Sequence, residues 1–239
     1  RQEIMKLERI AISCGGTGGH FNPGLSIART FVEHGGQAVL ILGGTHSAKQ
    51  AETAASFGIK SIRISSASIP KNPLRMFSFL SATWKGMKQT KAMFDEFKPQ
   101  AILSMGSFTS LPPAIASFRY KVPLFLHDGN ARVGKANRFL SRFAKAIALS
   151  FPTVNADQCA CPAIITGMPL RPEIISGALP KEDAVKKINE RWNCKFKPEN
   201  PVLLVFGGSL GATSINRNVK CTSPDIPDLK KLQVIHLSG

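Results

Sequence analysis

Three turns made of small residues could each bind an anion. They span residues 15–20, 106–110 and 207–212, and each follows a short apolar run of the sequence. Small residues let backbone N–H groups approach an anion closely, and a following helix adds the partial positive charge of its N-terminus. Tight packing of a strand against a helix is the plain alternative for any one turn, but three such turns favour a phosphate-binding role.

Two polar groups stand where a crevice would form. His20 closes the first turn, and His127, Asp128 and Asn130 follow another apolar run. Open parallel sheets bind ligands beyond the carboxyl ends of their strands, so both groups are expected at one crevice. A neutral His20 imidazole could accept a proton from a substrate hydroxyl, or it could simply hydrogen-bond its own loop. Asp128 and Asn130 could contact a ligand, or cap a helix that begins near Val133.

The turns do not fit two common nucleotide motifs. The sequence contains no G-x-x-x-x-G-K-[ST], which excludes a P-loop, and Phe21 stands where a dinucleotide fingerprint has its third glycine. Gly43, Gly44 and Thr45 stand where an acidic ribose-binding residue would be expected, so a nicotinamide dehydrogenase is disfavoured. Arg171 could hold a phosphate, although a lone loop arginine is more often solvated.

A stretch over residues 71–97 combines large apolar side chains with five cations. Much of its apolar set is expected to be helix core. It also has more large apolar residues than one core stripe needs, which suits a surface that dips into anionic lipid headgroups. Both interpretations stay open from composition alone.

Short, continuous apolar runs alternate with helical periods along most of the chain. This pattern predicts a parallel, doubly wound α/β sheet with right-handed crossovers. Asn22 as N-cap and Pro23 at the first helical position predict where the first helix begins. The predicted strands are residues 10–14, 38–42, 101–105, 124–127, 146–150 and 202–206, with one more starting at Val234.

Composition narrows the class of protein. The 239 residues carry 31 Lys and Arg against 15 Asp and Glu, a net charge of +16 that points to an anionic partner. Nucleic acid is disfavoured by the single tyrosine and the lack of a recognition module. The five cysteines show no paired C-x-x-C spacing, which indicates reduced thiols and no metal site. No run approaches the length of a membrane-spanning helix, so any membrane contact is expected to be peripheral.

Several motifs in order resemble the MurG family of glycosyltransferases, within glycosyltransferase family 28. The similarity extends over residues 10–239 and is carried by GGTGGHFNPGLSIA (15–28), GSFTSLPPAIA (106–116), HDGN (127–130), ANRFLSRFA (136–144), GMPLR (167–171) and GGSLGATSIN (207–216). The resemblance implies a GT-B fold of two Rossmann-like domains, and peripheral association with the cytoplasmic face of the bacterial plasma membrane. It implies inverting transfer of N-acetylglucosamine from UDP-N-acetylglucosamine to the MurNAc C4 hydroxyl of lipid I, an undecaprenyl-diphosphate-linked MurNAc-peptide. The product is lipid II of peptidoglycan synthesis, and no cofactor or metal is required.

The resemblance also implies roles for individual residues. His20 and Asp128 correspond to catalytic residues. Contacts with UDP-N-acetylglucosamine fall to Thr17, Gly18, Gly19, Asn130, Arg171 and Ser209. The residues that would bind the acceptor diphosphate are Gly106, Ser107, Thr109 and Ser110. Those that would contact the membrane surface are Leu74, Phe77, Leu80, Trp84, Lys85 and Lys88.

The sequence departs from the family pattern in length and at several positions. Asp128-Gly129 replaces Glu-Gln, Ser107-Phe108 replaces Gly-Tyr, Met168 replaces Asn and Leu210 replaces Gln. We expect an acceptor- and membrane-binding domain over residues 1–165, a linker over 166–200, and the start of an incomplete UDP-sugar-binding domain over 201–239. The alternative function is a truncated, non-catalytic binder of lipid-linked diphosphate at the membrane surface.

Overall fold

The structure is a computed structural model that describes residues 6–68, 70, 72–208, 211–221 and 231–239. The chain divides into two compact units, Arg1–Pro172 and Glu173–Gly239. The boundary falls inside the segment predicted as a linker, and part of that segment is helical. Among the described residues, no helix combines the length and apolar character needed to cross a bilayer.

The larger unit is built on one parallel sheet. Its strands are β1 (Arg9–Ser13), β2 (Gln37–Leu42), β3 (Lys60–Arg63), β4 (Ala101–Ser104), β5 (Leu124–Asp128), β6 (Ala146–Leu149) and β7 (Ala163–Ile165). They lie in the order β3-β2-β1-β4-β5-β6-β7, and all their pairings are parallel. The order reverses between β1 and β4, where such sheets form a ligand crevice.

Helices connect these strands on both faces of the sheet. They are α1 (Gly18–Glu33), α2 (Ser47–Ser56), α3 (Met76–Phe97), α4 (Leu111–Arg119) and α5 (Lys135–Leu140), with short 3-10 turns at Pro73–Arg75, Phe108–Ser110 and Ala156–Gln158. One core cluster joins Ile12 and Leu40 to Leu25 of α1. The other joins Val39 and Ile41 of the alternate strand face to helices α3, α4 and α5. Burial on both faces explains the continuous apolar strand runs and confirms the predicted doubly wound fold.

The smaller unit contains the second α/β segment. Its elements are α6 (Pro172–Ser176), which begins at the last residue of the larger unit, α7 (Lys181–Trp192), β8 (Val202–Phe206), α8 (Thr213–Cys221) and β9 (Gln233–Leu237). Strands β8 and β9 pair in parallel. The predicted strands at 202–206 and from Val234 are therefore confirmed.

Candidate functional site

The loops that follow β1, β2 and β4 are joined by short hydrogen bonds. The N–H of Gly16 donates to the carbonyl of Gly43 at 3.1 Å, and Thr109 Oγ1 donates to the carbonyl of Gly15 at 3.1 Å. A β-carbon at Gly15 would lie 2.3 Å from the backbone nitrogen of Gly43, so only glycine permits this approach. The first two predicted glycine turns therefore belong to one compact structure.

A cleft of about 320 Å³ opens beside these loops, beyond the carboxyl ends of β1, β4 and β5. It brings together seven of the predicted site residues. Its lining is Thr17, Gly19, His20, Met105, Gly106, Ser107, His127, Asp128, Gly129, Asn130, Gly134, Ala136, Asn137 and Met168. The two polar groups expected at one crevice are thus neighbours in the structure.

His20 lies in the first turn of α1, which begins at Gly18. The prediction that this helix starts at Pro23 is wrong, because Pro23 is accommodated inside the helix. His20 Nδ1 lies 3.0 Å from Thr17 Oγ1, and a β-carbon at Gly106 would lie 3.5 Å from His20 Nε2. The Nδ1–H of His20 can therefore donate a hydrogen bond to Thr17 Oγ1, and this tautomer leaves Nε2 beside the cleft as an acceptor.

Burial lowers the pKa of His20 below its ordinary value, and the negative charge of Asp128 partly opposes this shift. Desolvation disfavours the imidazolium, so the neutral ring predominates at neutral pH. His20 can therefore hydrogen-bond its own loop through Nδ1 and still accept a proton on Nε2. The two alternatives for His20 do not exclude each other.

Asp128 is almost fully buried, and its carboxylate accepts four hydrogen bonds. Oδ1 accepts from the N–H and the Nδ2 of Asn130 at 3.0 and 2.7 Å. Oδ2 accepts from the Gly134 N–H at 2.9 Å and from Asn137 Nδ2 at 3.0 Å. Gly134 is the N-cap of α5, so these contacts favour the structural alternative for Asp128 over a catalytic one.

Thr109 and Ser110, both expected at an acceptor diphosphate, are buried. Thr109 holds the carbonyl of Gly15, and Ser110 Oγ donates to the carbonyl of Gly106 at 2.6 Å. Their hydroxyls therefore join the loops instead of lining the cleft. Gly106 and Ser107 are the members of that set which do line it.

Two further residues predicted to contact the donor are described but do not line the cleft. Gly18 starts α1 but is not part of the cleft lining, and Arg171 is exposed and also outside it. Ser209 falls outside the described residues, as does Leu210. Their expected contacts with UDP-N-acetylglucosamine stay predictions.

Two polar side chains of the cleft, His127 and Asn137, were given no individual role from the sequence. Burial lowers the pKa of His127, while Asp128 and a hydrogen bond to the Gly167 backbone oppose that shift. Asn137 Nδ2 donates both to the His127 carbonyl at 2.9 Å and to Asp128. The only sequence signal for Asn137 was its place inside the ANRFLSRFA motif, which does not specify a partner.

The stretch around α3 exposes the apolar residues predicted to meet a membrane. Leu74 is 88% exposed, Phe77 83%, Leu80 56% and Trp84 59%. Lys88 Nζ lies 3.7 Å from the centre of the Trp84 ring, and Lys85 is also exposed. The inward face of α3 is instead formed by small and apolar residues that include Gly86 and Phe94. The exposed set is therefore separate from the helix core.

A second group of exposed aromatic residues lies at the end of α4, on α5 and just after α5. Helix α4 packs on α3, and Phe118 near its end contacts Phe143 with ring centres 5.1 Å apart and ring planes tilted by 60°. Phe139 contacts Phe143 at 6.0 Å, and Arg142 lies 5.7 Å from the Phe139 ring. The sequence analysis did not single out this cluster, because its members come from separate segments.

Comparison with known proteins identifies the family. The model for the glycosyltransferase family 28 N-terminal domain matches residues 10–149. The chain belongs to glycosyltransferase family 28. That match covers strands β1 to β6 except for Arg9, together with the first two glycine loops and the His127–Asn130 group.

Two relatives of this family-28 chain have the same name, UDP-N-acetylglucosamine--N-acetylmuramyl-(pentapeptide) pyrophosphoryl-undecaprenol N-acetylglucosamine transferase. The protein from Desulfitobacterium hafniense is 29% identical, over 97% of this chain and 61% of the relative. The protein from Halothermothrix orenii is 31% identical, over 97% of this chain and 61% of the relative. The chain thus spans about 61% of the length of these relatives.

A solved structure shows the same fold. The crystal structure of MurG from Acinetobacter baumannii is 22% identical and superposes with a TM-score of 0.67, over 97% of this chain and 61% of that one. The GT-B architecture expected from the sequence is therefore confirmed for the part of the fold that this chain contains.

Proposed function

We propose that this family-28 chain carries the acceptor site and catalytic base of an inverting transferase. The enzyme would transfer N-acetylglucosamine from UDP-N-acetylglucosamine to the MurNAc C4 hydroxyl of lipid I, giving lipid II for cell wall growth and division. The names of the two relatives support these substrates. The observation that carries the proposal is the position of the His20 imidazole, which lines the cleft with its Nε2 next to Gly106, where burial lowers its pKa.

In this proposal His20 Nε2 accepts the proton of the acceptor hydroxyl as that oxygen attacks the anomeric carbon. The bond to UDP breaks on the opposite face, which inverts the configuration, and UDP leaves with the bonding electrons. Thr17 holds the imidazole tautomer, and the nearby negative charge of Asp128 stabilises the imidazolium that forms. Asp128 itself has no free acceptor position for proton transfer, so we assign it no part in that step.

The acceptor diphosphate would meet the loop of Gly106 and Ser107. The carbonyls of Gly15 and Gly106 both accept hydroxyl hydrogen bonds within the loops, which turns these acceptors away from an anion. The N-terminus of α1 adds a partial positive charge beside Gly19. UDP-N-acetylglucosamine would contact Thr17, Gly18, Gly19 and Asn130 at this same cleft.

A substitution of His20 tests the proposed base. We expect His20→Ala to lower kcat for a soluble lipid I analogue by about 10²- to 10⁴-fold, the usual contribution of a positioned base. His34→Ala is the matched control, since His34 lies past the end of α1 and only hydrogen-bonds the Thr30 carbonyl. A His20→Ala rate within a fewfold of the wild type would refute the catalytic role.

The exposed surface around α3 supports docking on an anionic membrane surface at the cytoplasmic face of the plasma membrane. Its apolar side chains would enter the headgroup region, while Lys85 and Lys88 contact anionic lipid. Each cation near such a surface contributes about 1 kcal/mol, so replacing both with Gln should weaken vesicle binding about 30-fold at low salt. The double variant Lys186→Gln with Lys187→Gln, exposed on α7, is the control.

Vesicles of phosphatidylglycerol and of phosphatidylcholine alone would provide the two membranes for this measurement. Trp84→Ser should weaken binding to the anionic vesicles, whereas Trp192→Ser, at a residue 50% exposed on α7, should not. Equal binding of the wild-type chain to both vesicle types would refute an anionic membrane surface as partner.

The second candidate function is a non-catalytic binder of lipid-linked diphosphate. It is favoured by one observation: the cleft and the exposed apolar surface both lie within the larger unit, whereas Arg171 lies outside the cleft. Vesicle binding by the wild-type chain without saturable binding of UDP-N-acetylglucosamine would select this function. Saturable donor binding would exclude it.

A further inference from the structure

One side chain in the cleft presents a fixed polarity to a ligand. Asn130 is exposed and lines the cleft, and its Nδ2 donates to Asp128 Oδ1 at 2.7 Å. An ionised carboxylate only accepts hydrogen bonds, so it must face the NH₂ end of the amide and not the carbonyl end. The carbonyl oxygen of Asn130 then lies on the other side of the planar amide, away from Asp128.

Asp128 cannot turn to release Asn130, because its other oxygen is also held. Gly134 N–H and Asn137 Nδ2 both donate to Oδ2, at 2.9 and 3.0 Å. Asn137 is fixed in turn, since the same Nδ2 donates to the carbonyl of His127 at 2.9 Å. Each group in this network therefore has only one orientation that satisfies its neighbours.

Within the described part of the chain, no group donates a hydrogen bond to the carbonyl oxygen of Asn130. This acceptor is thus free for a ligand. A phosphate oxygen would meet another oxygen there, with the negative charge of Asp128 directly behind it, which is unfavourable. A neutral O–H or N–H group would instead find a partner.

We propose that Asp128 is a positioning residue that makes Asn130 a hydrogen-bond acceptor, selective for a neutral hydroxyl or amide N–H of the hexosamine over a phosphate. This inference rests on the proposed function for the identity of the ligand, but the orientation of Asn130 does not depend on it. It places the sugar of the donor at Asn130 and the diphosphate of the acceptor at Gly106, on the other side of the cleft.

The ligand-free chain tests the orientation. The side-chain amide protons of Asn130 should exchange with solvent about tenfold more slowly than those of Asn72, measured by NMR. Asn72 is a suitable reference because its amide has the reverse arrangement, with Oδ1 accepting from the Leu74 N–H at 2.9 Å. Equal exchange rates for the two side chains would overturn the proposed orientation.

Two substitutions at Asp128 then separate polarity from shape. Asp128→Asn is isosteric but supplies an NH₂ group, which allows the Asn130 amide to flip and present NH₂ to the cleft. Asp128→Glu is one methylene longer but still only accepts hydrogen bonds. We expect Asp128→Asn to weaken binding of UDP-N-acetylglucosamine about tenfold, and Asp128→Glu clearly less, while binding of UDP alone changes little in either.

Thermal unfolding of each variant must show a folded chain, and Asn130→Ala provides a second test at an exposed position. Asn130→Ala should weaken binding of UDP-N-acetylglucosamine as much as Asp128→Asn does, without affecting binding of UDP. Equal losses for Asp128→Asn and Asp128→Glu, or equal losses for UDP and its sugar conjugate, would overturn the selectivity. If the wild-type chain bound neither UDP nor UDP-N-acetylglucosamine, the proposed substrates and the selectivity would both be refuted. The exchange rates of the Asn130 amide would still test its orientation.

Discussion

Replacing Ser107 with glycine should stabilise the protein. Ser107 has φ of 74° and ψ of 160°, a backbone conformation that is essentially restricted to glycine. A β-carbon is therefore strained at Ser107, whereas glycine adopts this conformation without that strain. The family pattern has glycine at this position, so the substitution restores the residue that the conformation favours.

The size of the effect follows from two opposing contributions. Release of strain in this region contributes about 1–3 kcal/mol. The greater freedom of glycine in the unfolded chain opposes it by about 0.5–1 kcal/mol. The backbone bond from the Ser110 N–H to the Ser107 carbonyl, at 3.2 Å, is kept. Taken at the middle of both ranges, the net gain is about 1.3 kcal/mol, which corresponds to a rise in Tm of about 3–5 °C for a unit of this size.

Differential scanning calorimetry of the purified chain would measure this change. Ser107→Ala is the matched control, because it removes the hydroxyl but keeps the β-carbon that causes the strain. We expect Ser107→Gly to raise Tm and Ser107→Ala to leave it within about 1 °C of the wild type. A Tm for Ser107→Gly at or below that of Ser107→Ala would refute the argument from backbone strain.

Three further outcomes are expected. Gly86→Ala should lower stability by about 1–3 kcal/mol, since its β-carbon would lie 2.2 Å from the Ser65 carbonyl. Gly18→Ala should not, because its β-carbon would make an ordinary contact of 3.6 Å with Asn22 Nδ2; urea unfolding compares the two variants. Burial lowers the pKa of both His20 and His127, so the unfolded chain binds more protons below about pH 6.5, and Tm should fall as pH drops through that range, less so in His127→Asn. Burial raises the pKa of the Cys14 thiol, so iodoacetamide should modify Cys14 only after unfolding, as peptide mass spectrometry would show.

The sheet was predictable because its central strands are buried on both faces and read as continuous apolar runs. The two edge strands were not predicted. β3 has the sequence KSIR, with charged residues at both ends, and β7 has only three residues. Edge strands need less apolar surface, so their composition resembles that of loops. The strand signal in the sequence therefore weakens towards both edges of the sheet.

The start of α1 shows how a good local signal can mislead. Proline is favoured at the first helical position, which pointed to Pro23. The helix instead begins at Gly18, and Pro23 then lacks the N–H that would bond the Gly19 carbonyl four residues earlier. The longer helix brings His20 into its first turn, at the end with partial positive charge. The place of His20 in the helix therefore depends on the start of α1 at Gly18, which the proline pattern did not predict.

The position of Asp128 beside the cleft could be predicted, but its role could not. Spacing showed that it follows a buried strand, which placed it near the crevice. Whether a carboxylate is free for chemistry depends on how many donors surround it, and those of Gly134 and Asn137 come from the following loop and helix. The exposure of Leu74 and Phe77 likewise depended on which face of the helix meets the sheet. The role of Asp128 and the exposure of Leu74 and Phe77 both depend on contacts with residues distant in the sequence, which local patterns do not specify.

The departures from the family pattern in the cleft are not independent of one another. A β-carbon at Gly129 would lie 2.8 Å from the terminal methyl of Met168, too close for both side chains. Met168 Sδ also receives a weak hydrogen bond from Ser150 Oγ at 3.6 Å, so the methionine occupies the space that a residue at 129 would need. A small residue at one position therefore accommodates a large one at the other. This wall of the cleft is therefore apolar, so under the proposed function the hydrogen bonding of the sugar would depend more heavily on Asn130.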